Sequence, residues 1–363
     1  MKTKLIALSL LAIASTALSQ SYELNSTQQS KLSWFAQTGS HYTLLSQQSP
    51  ANDGSYATYR ADNFTVFTGL GLQFHRDISD NTKASIAYTG NLELLQNSQQ
   101  WFQNSISIND QLNTKLAGYR HTINYQINYN INDRTDFKLR GLYSQHHIGT
   151  NPLEDSKSNP EYRSKESWQA EVNPSFSYNF DSGTLYATPL FHKRIDFLRQ
   201  YRSYQTYGNG LSFDLSYEQS WNDVLFATAF QNINYRFEDS NLDRQRQVIK
   251  GGASHRIQDN LLISSNVTLL QDHFKYGKSR SSGYPLNGLK FKNRNDSGSI
   301  LELQGRHLGS SMDTVAKVQW QQMNSNFSES SFSGFELLLS FEFGARNKNT
   351  ITNDVEPCGC LLN

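Results

Sequence analysis

The chain has 363 residues, with 33 basic and 32 acidic side chains and a formal net charge of +1 at neutral pH. This balance excludes a global positive field that would select nucleic acid or another polyanion as a partner. The only two cysteines, Cys358 and Cys360, lie close to the last residue, which excludes a disulfide framework in the body of the fold.

The first residues have the pattern of a secretion signal. Lys2 and Lys4 precede the apolar run Leu5–Ala14, and the small residues that suit signal peptidase follow at Ala17–Ser19. We therefore predict that residues 1–19 are a signal peptide, cleaved near Ser19. No cysteine stands near this point, so we expect no lipid anchor.

The rest of the chain alternates between apolar and polar residues. No later stretch approaches the about 20 apolar residues of a membrane helix, but the alternation of a strand with one lipid-facing side averages to a polar hydropathy. The clearest case is Ala117–Ile131, where Tyr and Ile residues alternate with Asn and Gln, and Trp168–Phe180 repeats the pattern. Period two over this length predicts long strands.

An even number of such segments is typical of a bacterial transmembrane barrel. We therefore predict an all-β fold, a transmembrane antiparallel up-and-down β-barrel of about 14 strands within residues 20–343. The predicted strands are Leu32–Leu44, Phe64–Phe74, Ala84–Leu94, Ala117–Ile131, Phe137–Tyr143, Trp168–Phe180, Leu185–Ile195, Leu211–Tyr217, Leu225–Phe237, Ile249–Ile257, Leu261–Leu269, Ser299–Gly305, Thr314–Gln322 and Phe335–Phe343.

Short and long connections alternate along the chain, as expected for periplasmic turns and extracellular loops. This parity predicts an outer-membrane location and a polar periplasmic tail at residues 344–363. The predicted turns are Asp77–Thr82, Asn132–Thr135, Asp181–Gly183, Trp221–Asp223 and Gln258–Asn260. The predicted loops are Ser46–Asn63, Gln96–Asn113, Gly149–Ser167, Asp196–Thr206, Asp239–Arg246 and Phe274–Arg294.

The last predicted strand presents Phe335, Leu337, Leu339, Phe341 and Phe343 on one face. It resembles the aromatic-ended terminal strand by which barrel-assembly machinery recognises its clients. The resemblance implies that machinery and periplasmic chaperones as partners, beside outer-membrane lipid and lipopolysaccharide.

Charged residues fall on the faces opposite the apolar stripes, where they would line a polar lumen. One hypothesis is a conduit whose charges sort solutes; the alternative is that opposed charges pair and seal the interior. The lumen-lining candidates are Arg120, Lys138, Arg140, Glu171, Arg194, Asp214, Glu218, Glu302, Arg306 and Glu336.

A histidine pair, His146 and His147, stands near Ser144 and raises the alternative of an outer-membrane hydrolase. A catalytic base needs a nucleophile within hydrogen-bond reach and an orienting partner. No short motif supports such a site, so we predict that the protein is not an enzyme and binds no cofactor.

The Cys358-Gly359-Cys360 tail could bind a soft metal, exchange disulfides or pair with a partner chain. One dithiol has too few ligands for a closed zinc site. The alternative that we favour is an unstructured chain end with no metal bound.

Two segments resemble known barrel families. Tyr204–Tyr276 resembles the barrels encoded beside exopolysaccharide clusters, and Val318–Asn326 with Gly334–Phe343 resembles the barrel of surface lipoprotein assembly modifiers. The first hypothesis for function is therefore a porin-like or export conduit for a polar solute or surface polymer such as exopolysaccharide. The second is a plugged surface receptor, or an assembly or export partner for surface proteins. The partner of the protein would then be a surface polymer or a small secreted protein.

Overall fold

The computed structural model describes residues 22–24, 30–50, 56–103, 106–107, 112–150, 165–198, 206–221, 224–237, 244–274, 294–309, 311–326 and 331–344. Its strands are β1 (Tyr22–Leu24), β2 (Ser30–Pro50), β3 (Tyr56–Ser79), β4 (Thr82–Gln103), β5 (Ile106–Ser107), β6 (Leu112–Asn132), β7 (Thr135–Thr150), β8 (Lys165–Phe180), β9 (Gly183–Leu198), β10 (Thr206–Trp221), β11 (Val224–Phe237), β12 (Arg244–Gln258), β13 (Leu261–Phe274), β14 (Asn295–Leu308), β15 (Met312–Ser325) and β16 (Phe332–Gly344). Within these ranges no helix is long and apolar enough to cross a membrane.

Fourteen of these strands form one closed antiparallel sheet. Each of them pairs with its neighbours along the chain, and the last strand, β16, pairs with β2, so that Phe335 lies opposite Leu44 and Gly344 opposite Phe35. The two remaining strands are short: β1 pairs with the start of β2, and β5 pairs with the end of β4. Closure leaves no unpaired sheet edge, which a membrane-spanning sheet requires. The predicted 14-strand barrel is therefore confirmed.

The strands are longer than predicted at the end opposite the tight turns, which we call the outer end. β3 begins at Tyr56 and β4 continues to Gln103, so the predicted loops Ser46–Asn63 and Gln96–Asn113 are partly wrong. β12 likewise begins at Arg244, inside a predicted loop. Beyond the apolar band both faces of a strand are polar. The sequence then shows no apolar–polar alternation, and these ends of the strands could not be recognised from it.

Among the described residues, four connections are tight turns that each begin with aspartate: Asp80–Asn81, Asp133–Arg134, Asp181–Ser182 and Asp259–Asn260. Asp favours turns because its side chain bonds to the backbone two residues on. These turns lie within or beside the connections predicted to be short. The predicted signal peptide and C-terminal tail lie outside the described residues, as do residues 151–164 and 275–293, and their roles stay predictions.

The outer surface of the barrel is apolar. Exposed large side chains include Leu70, Leu92, Phe176, Leu269 and Trp221. Along β16 the outward side chains rise about 27 Å from Phe335 to Phe343, or about 21 Å along the membrane normal at a tilt of about 40°. This height is close to the about 25 Å apolar band of outer-membrane barrels.

The buried side chains, by contrast, mostly point inward, and more of them are polar or charged than apolar, unlike the core of a soluble protein. Inward aromatic rings lie close against glycine at two places: a Cβ on Gly71 would stand 2.1 Å from the Phe35 ring, and one on Gly39 would stand 2.6 Å from the Phe67 ring. Both positions therefore require glycine. The buried polar side chains are Ser33, Gln73, Gln231, Arg246, Thr268, Asp272, Asp296, Gln319 and Glu336.

Candidate functional site

The candidate site is the polar inner surface of the barrel. Because successive side chains of a strand point to opposite faces, the outward apolar residues fix the inward ones. On β14, for example, the outward Leu301 and Leu303 place Glu302 inward. Inward charges form one cluster at the outer end, two clusters near the middle, and two further contacts at the tight-turn end of the barrel.

The first cluster lies at the outer end, on β12 and β13. Arg246 donates two hydrogen bonds of 2.6 Å to Asp272, one to each carboxylate oxygen. Arg244 approaches the same carboxylate at 3.6 Å. Arg246 and Asp272 are both buried, so this pair is a fixed, bidentate part of the wall.

The same cluster continues onto β14. Asp296 lies directly opposite Asp272 and forms a bidentate ion pair with Arg294. The Arg294 guanidinium also stands over the Phe274 ring, 4.4 Å from its centroid. Two facing carboxylates would repel each other, so the arginines on both sides are needed to compensate their charge.

The second cluster joins β2, β14, β15 and β16 near the middle of the barrel. Lys317 lies 2.9 Å from Glu336 and 3.9 Å from Glu302. His41 approaches Glu336 at 3.2 Å, and the Asn266 amide donates to Glu302 at 3.0 Å. Both carboxylates therefore have partners on neighbouring strands.

The third cluster joins β4, β6 and β7, also near the middle. Glu93 lies 3.0 Å from the Nε of Arg120 and 2.8 Å from the Nε2 of His146. Beside it, the Gln37 amide donates to Asn91 at 2.7 Å. Arg120 is exposed although it faces inward, so its guanidinium is open to the lumen.

Two further contacts lie at the tight-turn end. The Tyr186 hydroxyl donates to Glu218 at 3.0 Å, and Arg306 lies 3.8 Å from Asp313. Charged groups are thus present at both ends and in the middle of the lumen.

The structure places eight of the ten predicted lumen residues on inward-facing positions with described side chains: Arg120, Lys138, Arg140, Glu171, Glu218, Glu302, Arg306 and Glu336. Arg194 and Asp214 belong to β9 and β10, and their side chains lie outside the described residues. Five of the eight, Arg120, Glu218, Glu302, Arg306 and Glu336, take part in the separate contacts described above rather than in one site.

Sequence reasoning missed the outer-end cluster. Arg244 and Arg246 fell in a predicted loop, and Asp272 lay beyond the predicted end of its strand at Leu269. A signal was present: Arg244, Arg246 and Val248 follow each other at period two, and that parity continues into the inward face of β12.

The histidine pair is split by the strand alternation. His146 points inward to Glu93, whereas the His147 ring stacks outward on Tyr119 at a centroid distance of 5.0 Å. The hydroxyl of Ser144 contacts Thr122 Oγ1 at 3.4 Å. Among the described residues no group of three or more His, Cys, Asp or Glu is placed to hold a metal. Cys358 and Cys360 lie outside the described residues.

A closed sheet that is apolar outside and polar inside defines a class: the protein is an outer-membrane β-barrel of the Gram-negative type. No protein-family model matches the chain, and no curated protein matches it.

Several solved structures are similar to this chain in fold. One is the outer membrane protein OmpT of Vibrio cholerae with loop L8 deleted, at 9% identity and a TM-score of 0.44 over 86% of this chain and 99% of that chain. Another is the toluene transporter TodX of Pseudomonas putida, at 8% identity and a TM-score of 0.43 over 85% and 89%. The translocator domain of the autotransporter NalP from Neisseria meningitidis matches at 10% identity and a TM-score of 0.31 over 95% and 98%.

Proposed function

We propose that the protein is an outer-membrane channel for polar solutes and that its lumen favours anions. The observation that carries this proposal is the unequal burial of the two partners in the lumen ion pairs. The side chain of Arg120 is 45% exposed against 11% for Glu93, and Arg294 is 30% exposed against 2% for Asp296. His41 and Glu336 show the same order, with 31% and 6%.

Burial of the carboxylates behind their basic partners gives the lumen a positive surface in spite of the near-neutral net charge. A surface of fixed cations in a low-dielectric wall raises the local concentration of anions. Two pairs have the opposite order: Glu302 is more exposed than Lys317, and Asp77 is more exposed than His75. The basic partner is the less buried one in the pairs of His146, Arg244, Arg246 and Arg306, and in that of Lys317 with Glu336.

The width of the barrel supports an open path. Fourteen strands spaced about 4.8 Å apart and tilted by about 40° give a diameter of about 28 Å for a circular section. Inward side chains reach about 5 Å from each wall, so about 18 Å remains between them. Eight-stranded barrels can be filled by wall side chains, whereas much wider barrels hold water.

The test is the reversal potential of the full-length protein in a planar bilayer under a salt gradient. We expect steady current steps with an anion preference, which Arg120→Gln and Arg294→Gln reduce. Arg134→Gln is the matched control, because it also removes one positive charge. The Arg134 side chain lies on a tight turn and is exposed outside the lumen. A cation preference in the unaltered protein, or equal effects of all three variants, would contradict the proposal.

A second candidate, a plugged surface receptor, is favoured by the buried charge cluster of Arg246, Asp272 and Asp296 at the outer end. Inward charges of a sealed barrel are expected to pair in this way. A folded protein that stays electrically silent would support this candidate. Export of a surface polymer and the absence of enzymatic activity stay predictions.

A further inference from the structure

The seam between β8 and β9 contains a break in the hydrogen-bond ladder. The two strands pair from their tight turn to their outer ends, but no pair forms between Phe176↔Ala187 and Val172↔Phe191. In the register that flanks this gap, Pro174 lies directly opposite Pro189. The chain has seven prolines, and the gap brings two of them face to face.

The missing bonds are on the β8–β9 side alone. The backbone N–H of Asn179 donates to the backbone carbonyl of Arg134 at 2.7 Å, toward β7. The backbone groups of successive strand residues point to opposite sides, so the even-numbered residues of β8, including Pro174, bond toward β9. The register of β7 with β8 continues through Leu139↔Pro174, and that of β9 with β10 through Phe213↔Pro189. An antiparallel pair at this site would exchange two N–H···O bonds, and neither proline has an N–H.

This break differs from the other irregularities in the described pairings. Those lie beside turns, at Asp77/Ser79, Asn130/Asn132 and Arg256/Gln258. Proline in a sheet is normally confined to edges, strand starts and bulges. The gap instead falls about half-way along β8, between the exposed outward side chains Val172 and Phe176. It therefore has lipid on one side and the lumen on the other.

Polar side chains mark the lumen side of the gap. The hydroxyl of Thr188 donates to the Ser175 hydroxyl at 2.8 Å, across the seam and within the gap. The carbonyl oxygen Oδ1 of Asn173, at the upper edge of the gap, is buried and has no hydrogen-bond partner among the described residues. A side-chain bond thus spans the seam where the backbone bonds are missing, and an acceptor stands free beside it.

We propose that the β8–β9 seam is a lateral portal for a single-chain amphiphile. The acyl chain passes between the strands into the lipid, while Asn173, Ser175 and Thr188 hold the polar head on the lumen side. Parting two paired strands inside a bilayer exposes backbone groups to hydrocarbon, and this cost is lowest where the ladder is already interrupted. This route is separate from the axial path of the proposed anion channel.

The test locks the seam in the full-length protein. Ser175→Cys with Thr188→Cys places two thiols at directly opposed lumen positions, and oxidation joins them. The probe is a sixteen-carbon fatty acid with a photoreactive diazirine in its chain, in phosphatidylcholine vesicles, with sites of cross-linking read by mass spectrometry. We expect labelling of lumen-facing Tyr186 and Glu218 in the reduced form, and a loss of at least tenfold on oxidation.

The matched control is Ser254→Cys with Ser264→Cys, an opposed lumen-facing pair on β12 and β13, where the ladder is continuous. Oxidation of this pair should leave lumen labelling unchanged. Pro174→Val with Pro189→Val restores both donors without a cross-link and should also lower the labelling. The portal is contradicted if lumen labelling persists in the locked seam, or if the unlocked protein is labelled only at outward residues such as Val172.

Discussion

Two parts of the lumen wall, the outer-end wall on β12–β14 and the middle wall on β4–β7, have the same alternation of inward and outward residues. They differ in whether the inward charged side chains are buried or exposed. At the outer end, the buried Arg246 and Asp272 form one ion pair, and the buried Asp296 is paired with Arg294. In the middle wall, Arg120 and Asn124 are inward but exposed. Alternation therefore decides which face a side chain occupies, and its neighbours on the adjacent strands decide whether its charge is structural or available to a solute.

The largest expected change in the free energy of unfolding comes from the loss of a buried ion pair at the outer end. Arg246→Ala leaves Asp272 buried with Arg244 alone, at 3.6 Å. Removing one partner of a buried pair costs about 3–5 kcal/mol. We expect a much lower urea midpoint and loss of the fast-migrating folded band on unboiled gels.

The control for this prediction is Arg120→Ala in the middle wall. Its pair with Glu93 is half-exposed, and such pairs contribute about 0–1 kcal/mol. The urea midpoint should therefore hardly change. Equal destabilisation by both substitutions would remove the distinction between a structural and an available charge.

The second effect compares the two faces within the middle wall. Ile123 is exposed outward and Asn124 is exposed inward. Ile123→Arg places a charge against hydrocarbon at a cost of about 2–4 kcal/mol near the bilayer midplane, whereas Asn124→Arg places it in water. Folding yield should fall for the first variant only, and the second should increase the anion preference. A normal yield for Ile123→Arg would show that this part of β6 lies outside the bilayer.

The sequence was sufficient for the inward and outward faces, because period two is a property of each strand alone. It was insufficient for partners, because these depend on register between strands: Arg246 and Asp272 meet only through the β12–β13 pairing. The proline pair shows how fine this dependence is. A turn at Asp181–Gly183 would place Pro174 opposite Leu190, but the two-residue turn Asp181–Ser182 places it opposite Pro189. An error of one turn residue was enough to hide the break.

The third effect concerns the seam, whose interrupted ladder contrasts with the continuous ladder of β12 and β13. Pro174→Val with Pro189→Val restores two hydrogen bonds of about 0.5–1.5 kcal/mol each. Loss of proline also frees the unfolded chain, at about 0.4–1 kcal/mol per site. We expect a net gain of about 0.6 kcal/mol in the free energy of unfolding, measured as a higher urea midpoint. Pro50→Val, at the end of β2, should give no gain, and a gain there equal to that at the seam would assign the effect to proline in general.

The smallest effect is in the middle wall and uses two adjacent residues as each other's control. His146 and His147 have the same side chain and adjacent positions, but only His146 contacts the lumen carboxylate Glu93. His146→Gln keeps an amide donor near Glu93, so the carboxylate is only slightly less compensated. The anion-to-cation permeability ratio should fall slightly, by the equivalent of less than about 0.5 kcal/mol, as expected for a partly exposed pair. His147→Gln removes an outward ring stacked on Tyr119 and should leave the reversal potential unchanged. A larger shift from His147→Gln would mean that the faces of β7 are assigned the wrong way round, and with them the lumen position of Arg140.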